Sequence, residues 1–183
     1  MLHITIPAVE LFDEATSEFI TSEECSIDME HSLLALSKWE QKFHKPFFSE
    51  AEKTEEELMY YFYCMSVTPG VTPLSFKYLT PELVETIKEY INDPMTATTI
   101  REGAEGNGAR YSREIITNEI VYYWMTELGI DLAWENRHIN QLMTLIRVCN
   151  IKKSQQQKLS KSATSSKNRG LNAARRAAYH SKG

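Results

Sequence analysis

Five histidines and three cysteines are the residues of this 183-residue chain that could ligate a metal ion or act as nucleophiles. His138 and Cys149 share one predicted helix, but eleven residues of helical rise separate them by about 16 Å, too far to bind one ion. Cys64 and Cys149 fall on apolar helical faces, where a free cysteine is usually a small buried hydrophobe. The odd number of isolated cysteines favours reduced thiols over a disulfide framework. We therefore expect neither a metal site nor a catalytic cysteine.

Two further sequence patterns, one of carboxylates and one of glycines, could belong to a catalytic or phosphate-binding site. The run Glu55-Glu56-Glu57 follows Thr54, which is the pattern of a capping box whose acids also suit the helix dipole. The glycines within 103–108 have the spacing Gly-x-x-Gly-x-Gly, but no predicted strand precedes them and no phosphate-binding lysine follows. Because no catalytic constellation emerges, we expect a protein that is not an enzyme and uses no cofactor.

Two aromatic runs are candidates for binding a partner protein. Tyr60-Tyr61-Phe62-Tyr63 and Tyr122-Tyr123-Trp124 each lie in a predicted helix, and four consecutive aromatics cannot all face one side of a helix. Either such a helix is buried on two sides, which we favour, or some rings are exposed as interface anchors. The candidate partner-binding aromatics are Tyr60, Tyr63 and Tyr122.

Charge divides the chain into an acidic body and a basic tail. All 25 acidic residues precede position 151, whereas 151–183 holds nine of the 20 lysines and arginines. Such a tail could be a solvated terminus, or bind nucleic acid, an acidic partner or the chain's own body. The acidic body would repel phosphates, which favours the protein partners over nucleic acid. The candidate binding residues here are Lys152, Lys153, Lys158, Lys161, Arg169, Arg175 and Arg176.

Composition is that of a globular protein, with 42% hydrophobic and 25% charged residues. One domain is the default for this length, and two small ones are the limit. No apolar run approaches the ~20 residues of a membrane-spanning helix. The N-terminus also lacks the basic and apolar regions of a signal peptide. These features predict an intracellular protein that does not enter membranes.

The first 27 residues predict a small β-structure, whose strand pairing stays open. Leu2, Ile4 and Ile6 alternate with polar residues, the period of a half-buried strand. Two further candidate strands, 9–12 and 18–21, flank a polar stretch of turn-like composition.

From Asp28 onward the apolar period becomes helical. We expect the fourth helix to turn Ile115, Ile116, Ile120, Tyr123 and Trp124 inward. A glycine-rich stretch before it is either a flexible loop or a boundary between sub-bundles. The predicted helices are 29–43, 54–65, 80–91, 112–128 and 134–150, and the glycine-rich stretch is 102–109.

Three of the predicted helix ends have recognisable signals. Thr80-Pro81 is a start signal for the third helix. Ser112 is the predicted cap of the fourth helix, and Gly129 is its predicted stop. The predicted apolar face of the third helix consists of Leu83, Val84, Ile87, Tyr90 and Ile91.

The tail after residue 150 has two parts by composition. Residues 151–166 are mostly Lys, Ser and Gln, which is linker composition, whereas 172–178 has high helix propensity. The predicted fold class is mainly α, a bundle of about five helices with a small N-terminal β-hairpin or sheet and a disordered or partly helical tail. The expected segments are an N-terminal β segment at 1–27, a helical body at 28–150 and the basic tail at 151–183.

Several short sequence segments resemble segments of the tail assembly chaperones of long-tailed bacteriophages, and the resemblance covers most of the chain after Asp28. They are packing and capping signals spread along the helices, and the tail's ending is also similar. The strings are Glu30-His31-Ser32-Leu33, Ser37-Lys38-Trp39-Glu40, Lys45-Pro46-Phe47, Lys53-Thr54-Glu55-Glu56-Glu57, Pro94-Met95-Thr96-Ala97-Thr98, Ser112-Arg113-Glu114-Ile115-Ile116, Tyr122-Tyr123-Trp124-Met125, Leu142-Met143-Thr144-Leu145-Ile146-Arg147-Val148-Cys149-Asn150 and Leu171-Asn172-Ala173-Ala174-Arg175-Arg176.

The resemblance implies a phage-encoded, mainly helical, non-enzymatic protein of the host cytoplasm. Members of that family bind the long, hydrophobic tape measure protein and keep it soluble while tail subunits polymerise around it. The implied partners are the tape measure protein and, as a second candidate, the tail tube protein, with self-association as a further option. The alternative hypothesis is a virion structural or connector protein whose basic tail contacts a neighbouring subunit or DNA.

Overall fold

The computed structural model describes residues 1–13, 18–22, 24–100 and 115–179. The chain is mainly helical with antiparallel N-terminal strands, which confirms the predicted fold class. It forms two compact units, Met1–Thr144 and Leu145–Gly183. The strands are β1 Leu2–Ile6, β2 Val9–Asp13, β3 Glu18–Ser22 and β4 Cys25–Met29; the α-helices are α1 Leu33–Phe43, α2 Glu55–Met65, α3 Pro81–Asn92, α4 Asn118–Leu128 and α5 Ile139–Ala178; two 3₁₀ helices span Pro73–Tyr78 and Leu132–Asn136.

The N-terminal strands form two antiparallel pairs, β1 with β4 and β2 with β3. Leu2 lies opposite Met29, and Ile6 lies opposite Cys25. The predicted strands at 2–6, 9–12 and 18–21 are confirmed to within a residue. β4 is a correction, because residue 29 was expected to open a helix. Its partner β1 supplies the hydrogen bonds that make this segment a strand.

One face of the β1–β4 pair belongs to the core. Ile4 and Ile6 are buried on β1, and Ile27 and Met29 are buried on β4. Their polar neighbours in the sequence point to the other face, as the two-residue period of a strand requires. Burial of these four apolar side chains fixes the register, because a slip by one residue would turn the apolar side chains of the slipped strand to the solvent face.

α1 begins at Leu33 because Ser32 is its N-cap, with its hydroxyl accepting from the Ala35 amide. The helix ends at Phe43, after which His44 adopts a left-handed conformation with φ of 52°. Its buried face carries Leu33, Leu36 and Trp39, so the predicted apolar period is correct although the helix starts four residues later than expected.

α2 and α3 begin where their capping signals predict. Thr54 and Glu57 form the expected capping box at the start of α2. Thr80 caps α3, and Pro81 occupies its first position. α2 packs on α1 and on the first 3₁₀ helix, while α3 contacts β1.

α4 differs from its prediction at the start and in its buried face. Residues 101–114, which include the predicted cap Ser112 and the glycine-rich stretch 102–109, lie outside the described part of the chain. Ile115 and Ile116 precede the helix and are not helical, because Thr117 is its N-cap. Gly129 ends the helix at a positive φ of 66°, as predicted.

The inward side of α4 is the row of Val121 and Met125, both fully buried. Tyr123 is 64% exposed, so its predicted inward position is wrong. Residues two apart on a helix lie about 200° apart, which places Tyr123 opposite Val121. Ile120 and Trp124 are half-buried at the edges of the row, one turn apart.

α5 starts at Ile139, five residues later than expected, because a 3₁₀ helix occupies Leu132–Asn136. The helix then continues through 151–166, the stretch with the composition of a linker. Lysine, glutamine, alanine and arginine favour helix, and 139–178 contains no proline to interrupt it. No helix in the described ranges has the length and apolar content to cross a membrane.

Candidate functional site

An apolar groove lies between α2, the first 3₁₀ helix and α3. Its volume is about 970 Å³. A groove of this size lies within the range of sites that bind small ligands or single side-chain clusters. Its apolar lining includes Leu58, Met59, Tyr60, Leu74, Leu79 and Val84.

Three aromatic rings in contact support one side of the groove, and Tyr60 and Phe76 among them line it. The rings of Tyr60 and Tyr63 pack edge to face with centroids 5.5 Å apart, and Tyr63 contacts Phe76 at 6.4 Å. Phe76 is fully buried and anchors the 3₁₀ helix against α2. Leu74 comes from the same 3₁₀ helix, lines the groove and is 68% exposed. An exposed leucine beside other apolar side chains marks a surface suited to binding a partner.

The rim of the groove is predominantly acidic. Glu55 and Glu56 come from the first turn of α2, and Glu85 comes from α3, whereas Lys88 is the basic residue of the lining. The two α2 acids suit the helix dipole, as their position in the first turn predicts, and they are also carboxylates of the groove rim. The rim therefore attracts a positively charged ligand over a neutral or acidic one.

The capping box holds the start of α2 in place. The Thr54 hydroxyl accepts from the Glu57 amide at 3.2 Å, and a Glu57 carboxylate oxygen accepts from the Thr54 amide at 2.9 Å. Lys45 donates to the other Glu57 oxygen at 2.5 Å, and Trp39 Nε1 donates to the Glu57 carbonyl at 2.8 Å. The Lys45 hydrogen bond, followed by that from Thr54, lowers the pKa of Glu57. α1 and α2 are thus fastened together at the end that carries the acidic rim.

A cluster of polar aromatic side chains is buried elsewhere in the first unit. His31 Nδ1 and the Tyr61 hydroxyl are hydrogen-bonded at 2.5 Å, and the rings of His31 and His138 lie 4.9 Å apart. His138 Nε2 donates to the Tyr90 carbonyl at 3.1 Å. Burial, followed by the neighbouring His138, lowers the pKa of His31 to about 3. Both histidines are closed off from solvent, so we assign the cluster to packing.

The Cys64 thiol is buried on α2. Burial raises the pKa of the Cys64 thiol to about 12, so the nucleophilic thiolate is suppressed at neutral pH. Among residues 1–13, 18–22, 24–100 and 115–179, no three histidine, cysteine, aspartate or glutamate side chains gather closely enough to hold a metal ion.

The structure separates the three predicted partner-binding tyrosines. Tyr60 lines the groove, and Tyr63 lies behind it, half-buried against Phe76. Tyr122 is on α4, outside the groove lining, and its hydroxyl donates to Glu135 at 2.9 Å. Burial, followed by this hydrogen bond, raises the pKa of Tyr122 to about 12.

The predicted basic residues lie on α5, in the second unit. All those whose side chains are described are exposed, and the Lys158 side chain falls outside the described set. Two apolar side chains near the end of this helix are exposed as well, Leu171 at 48% and Tyr179 at 81%. The exposed basic residues are Lys152, Lys153, Lys161, Arg169, Arg175 and Arg176.

Most of the groove residues carry no recognisable signal in the sequence. Leu74 and Leu79 lie in a segment without clear apolar period, so only their position after Thr72-Pro73, a helix-start pattern, could have drawn attention to them. Val84 is predicted on the buried apolar face of α3, but its side chain is only half-buried and lines the groove.

Comparison with known proteins gives no relative: no family model, no curated protein and no solved structure matches this chain.

Proposed function

We propose that this protein is a phage tail assembly chaperone that binds and solubilises the tape measure protein in the host cytoplasm, without enzymatic activity. The observation that supports the proposal is the apolar, acid-rimmed groove between α2, the first 3₁₀ helix and α3. The strings that resemble the chaperone family, given above, support it independently.

The groove suits a helical segment of a long apolar partner. An amphipathic helix inserts residues at i, i+3 or i+4 and i+7 into such a surface. Met59 lies in the lining, and methionine side chains adapt to partners of different sequence. A chaperone that coats a long protein needs this tolerance, because successive segments differ.

Each contact would be weak, which fits a chaperone that leaves before the tail is complete. Burial of one leucine anchor contributes about 1.5–3 kcal/mol. Association costs an estimated 4–15 kcal/mol in lost freedom. Two or three anchors in one groove therefore leave a small net affinity, and stable coating would arise from many copies along one partner.

The second candidate is a virion structural or connector protein. The observation that favours it is the exposed basic helix of the second unit, which carries eight lysines and arginines and no acid between residues 151 and 178. That helix would contact a neighbouring subunit or DNA.

Co-expression with fragments of the tape measure protein tests the proposal. We expect the intact chain to raise the soluble fraction of such fragments several-fold, and Leu74→Asp to remove most of that gain. Leu132→Asp is the matched control, because Leu132 is also an exposed leucine of a 3₁₀ helix, at 59%. Circular dichroism checks that both variants fold.

Two results would contradict the proposal. In the first, the fragments stay insoluble beside the wild-type chain, which is instead found in purified particles. In the second, the chain shifts DNA at physiological salt with a steep salt dependence. Either result would favour the structural alternative.

A further inference from the structure

The end of α5 is a basic helical segment with exposed apolar side chains on one side. Leu171, Ala174 and Ala178 are spaced at i, i+3 and i+7, which places them on one side of a helix, with Tyr179 beside them. Leu171 is 48% exposed and Tyr179 is 81% exposed, so this side is uncovered. We call residues 167–179 the basic stripe.

The charges of the basic stripe have one sign. Lys167, Arg169, Arg175 and Arg176 lie within it, and it contains no acid. The three arginines are exposed. Arg175 follows Leu171 by four residues and therefore lies on the same side of the helix, between Leu171 and Tyr179.

The groove has the complementary properties. Its lining is apolar, and its rim presents Glu55, Glu56 and Glu85 against one lysine.

We propose that the groove binds the basic stripe of a second copy of this chain. The opposite charges of the stripe and the rim favour this contact, and a stripe that bound the groove of its own chain would leave the protein monomeric. The inference rests on the groove of the proposed function and adds its regulation. A basic amphipathic segment of the partner would have to displace the stripe, and free copies would be held in a self-associated form.

Sedimentation equilibrium of the full chain over a concentration series tests this inference. We expect wild type to self-associate at low salt and to dissociate at about 0.5 M salt, where surface charges are screened. Reversing the stripe charges with Arg175→Glu and Arg176→Glu should weaken association at least about tenfold. Reversing the rim with Glu56→Lys and Glu85→Lys should weaken it to a similar extent.

The decisive variant combines all four reversals in one chain. In that chain the carboxylates introduced at positions 175 and 176 meet the ammonium groups introduced at positions 56 and 85, so association should be stronger than in either double reversal. A merely destabilising effect of the substitutions would not be repaired by adding more of them.

Two controls match the charge changes outside the contact. Lys152→Glu with Lys161→Glu makes the same change on α5 outside the stripe. Glu119→Lys places a lysine in the first turn of α4, as Glu56→Lys does in α2, and so reproduces the unfavourable helix-dipole interaction. Both controls should associate like wild type.

The inference is overturned if wild type is monomeric at every concentration, if the reversals leave association unchanged, or if the controls weaken it equally. The solubility of tape measure fragments is a separate readout. If the charge swap restores self-association while fragments stay insoluble, the proposed function fails and the inference stands. If fragments become soluble while self-association does not depend on the stripe charges, the inference fails and the proposed function stands.

Discussion

Two helices of the first unit carry aromatic runs, and they use them differently. In α2, Tyr61 and Phe62 are fully buried, and Tyr60 lines the groove. In α4, Tyr123 is 64% exposed and Trp124 is only half-buried. α2 packs on both α1 and the first 3₁₀ helix, whereas α4 packs mainly on α1. The number of neighbouring elements, rather than the aromatic content, decides how much of a helix is buried.

The first turns of α2 and α4 are also stabilised differently, α2 by residues near in sequence and α4 by another helix. α2 is capped by its own neighbours in sequence, Thr54 and Glu57. At the start of α4 the Thr117 side chain makes no cap hydrogen bond within the described part of the chain. Instead Glu40 of α1 accepts from the Asn118 amide at 2.9 Å and from the Phe47 amide at 2.7 Å. α2 is therefore specified locally, and α4 depends on α1.

The largest expected loss of stability comes from truncating a buried ring of the α2 aromatic run. Phe62→Ala should destabilise the protein by ~3–5 kcal/mol, because a fully buried phenylalanine leaves a cavity. Trp124→Ala should cost clearly less, since a half-buried ring loses only part of its contacts. Denaturant unfolding of both variants measures this, and equal losses would contradict the two-sided burial of α2.

The second prediction concerns His31, the buried histidine that is hydrogen-bonded to Tyr61 of α2. Its pKa is lowered from 6.5 to about 3, mainly by burial, so the unfolded chain binds the proton more readily. The contribution of neutral His31 to stability is thus complete above pH 6.5 and falls as the pH drops toward 3. Unfolding midpoints between pH 7 and 5 should decline for wild type and decline less for His31→Gln. A His44→Gln control, at an exposed position, should keep the wild-type slope.

The third prediction tests local against remote capping. Glu40→Ala should cost about 1–3 kcal/mol, because two amide donors lose their acceptor. Thr54→Ala should cost about 1 kcal/mol, whereas Thr117→Ala should be close to neutral. The measurement is the free energy of unfolding of each variant. A Thr117→Ala loss as large as that of Thr54→Ala would show that α4 is capped locally after all.

These contrasts explain what the sequence could predict. The starts of α2 and α3 and the glycine stop of α4 follow from residues within four positions of the helix end, so their patterns identified them. β4 needs hydrogen bonds from β1, and α4 needs Glu40, and neither partner is near in sequence. The groove was not predictable for the same reason. Leu74 becomes a groove residue only when α2 and α3 are placed beside its 3₁₀ helix.

The smallest expected effect falls on the exposed side of α4. Tyr123→Ala should change the free energy of unfolding by less than about 0.5 kcal/mol, the usual range for surface substitutions. Thermal or denaturant unfolding measures it. A loss comparable to that of Phe62→Ala would place Tyr123 in the core and cancel the difference between the two helices.

The most direct test of the central claim is site-specific photo-crosslinking from the groove. A photoreactive residue replaces Leu74 in one variant and Leu132 in the other, and each is co-expressed with a tape measure fragment. We predict a covalent adduct with the fragment from position 74 and little or none from position 132. Equal cross-linking from both positions, or none from position 74 while the fragment stays soluble, would contradict binding in the groove.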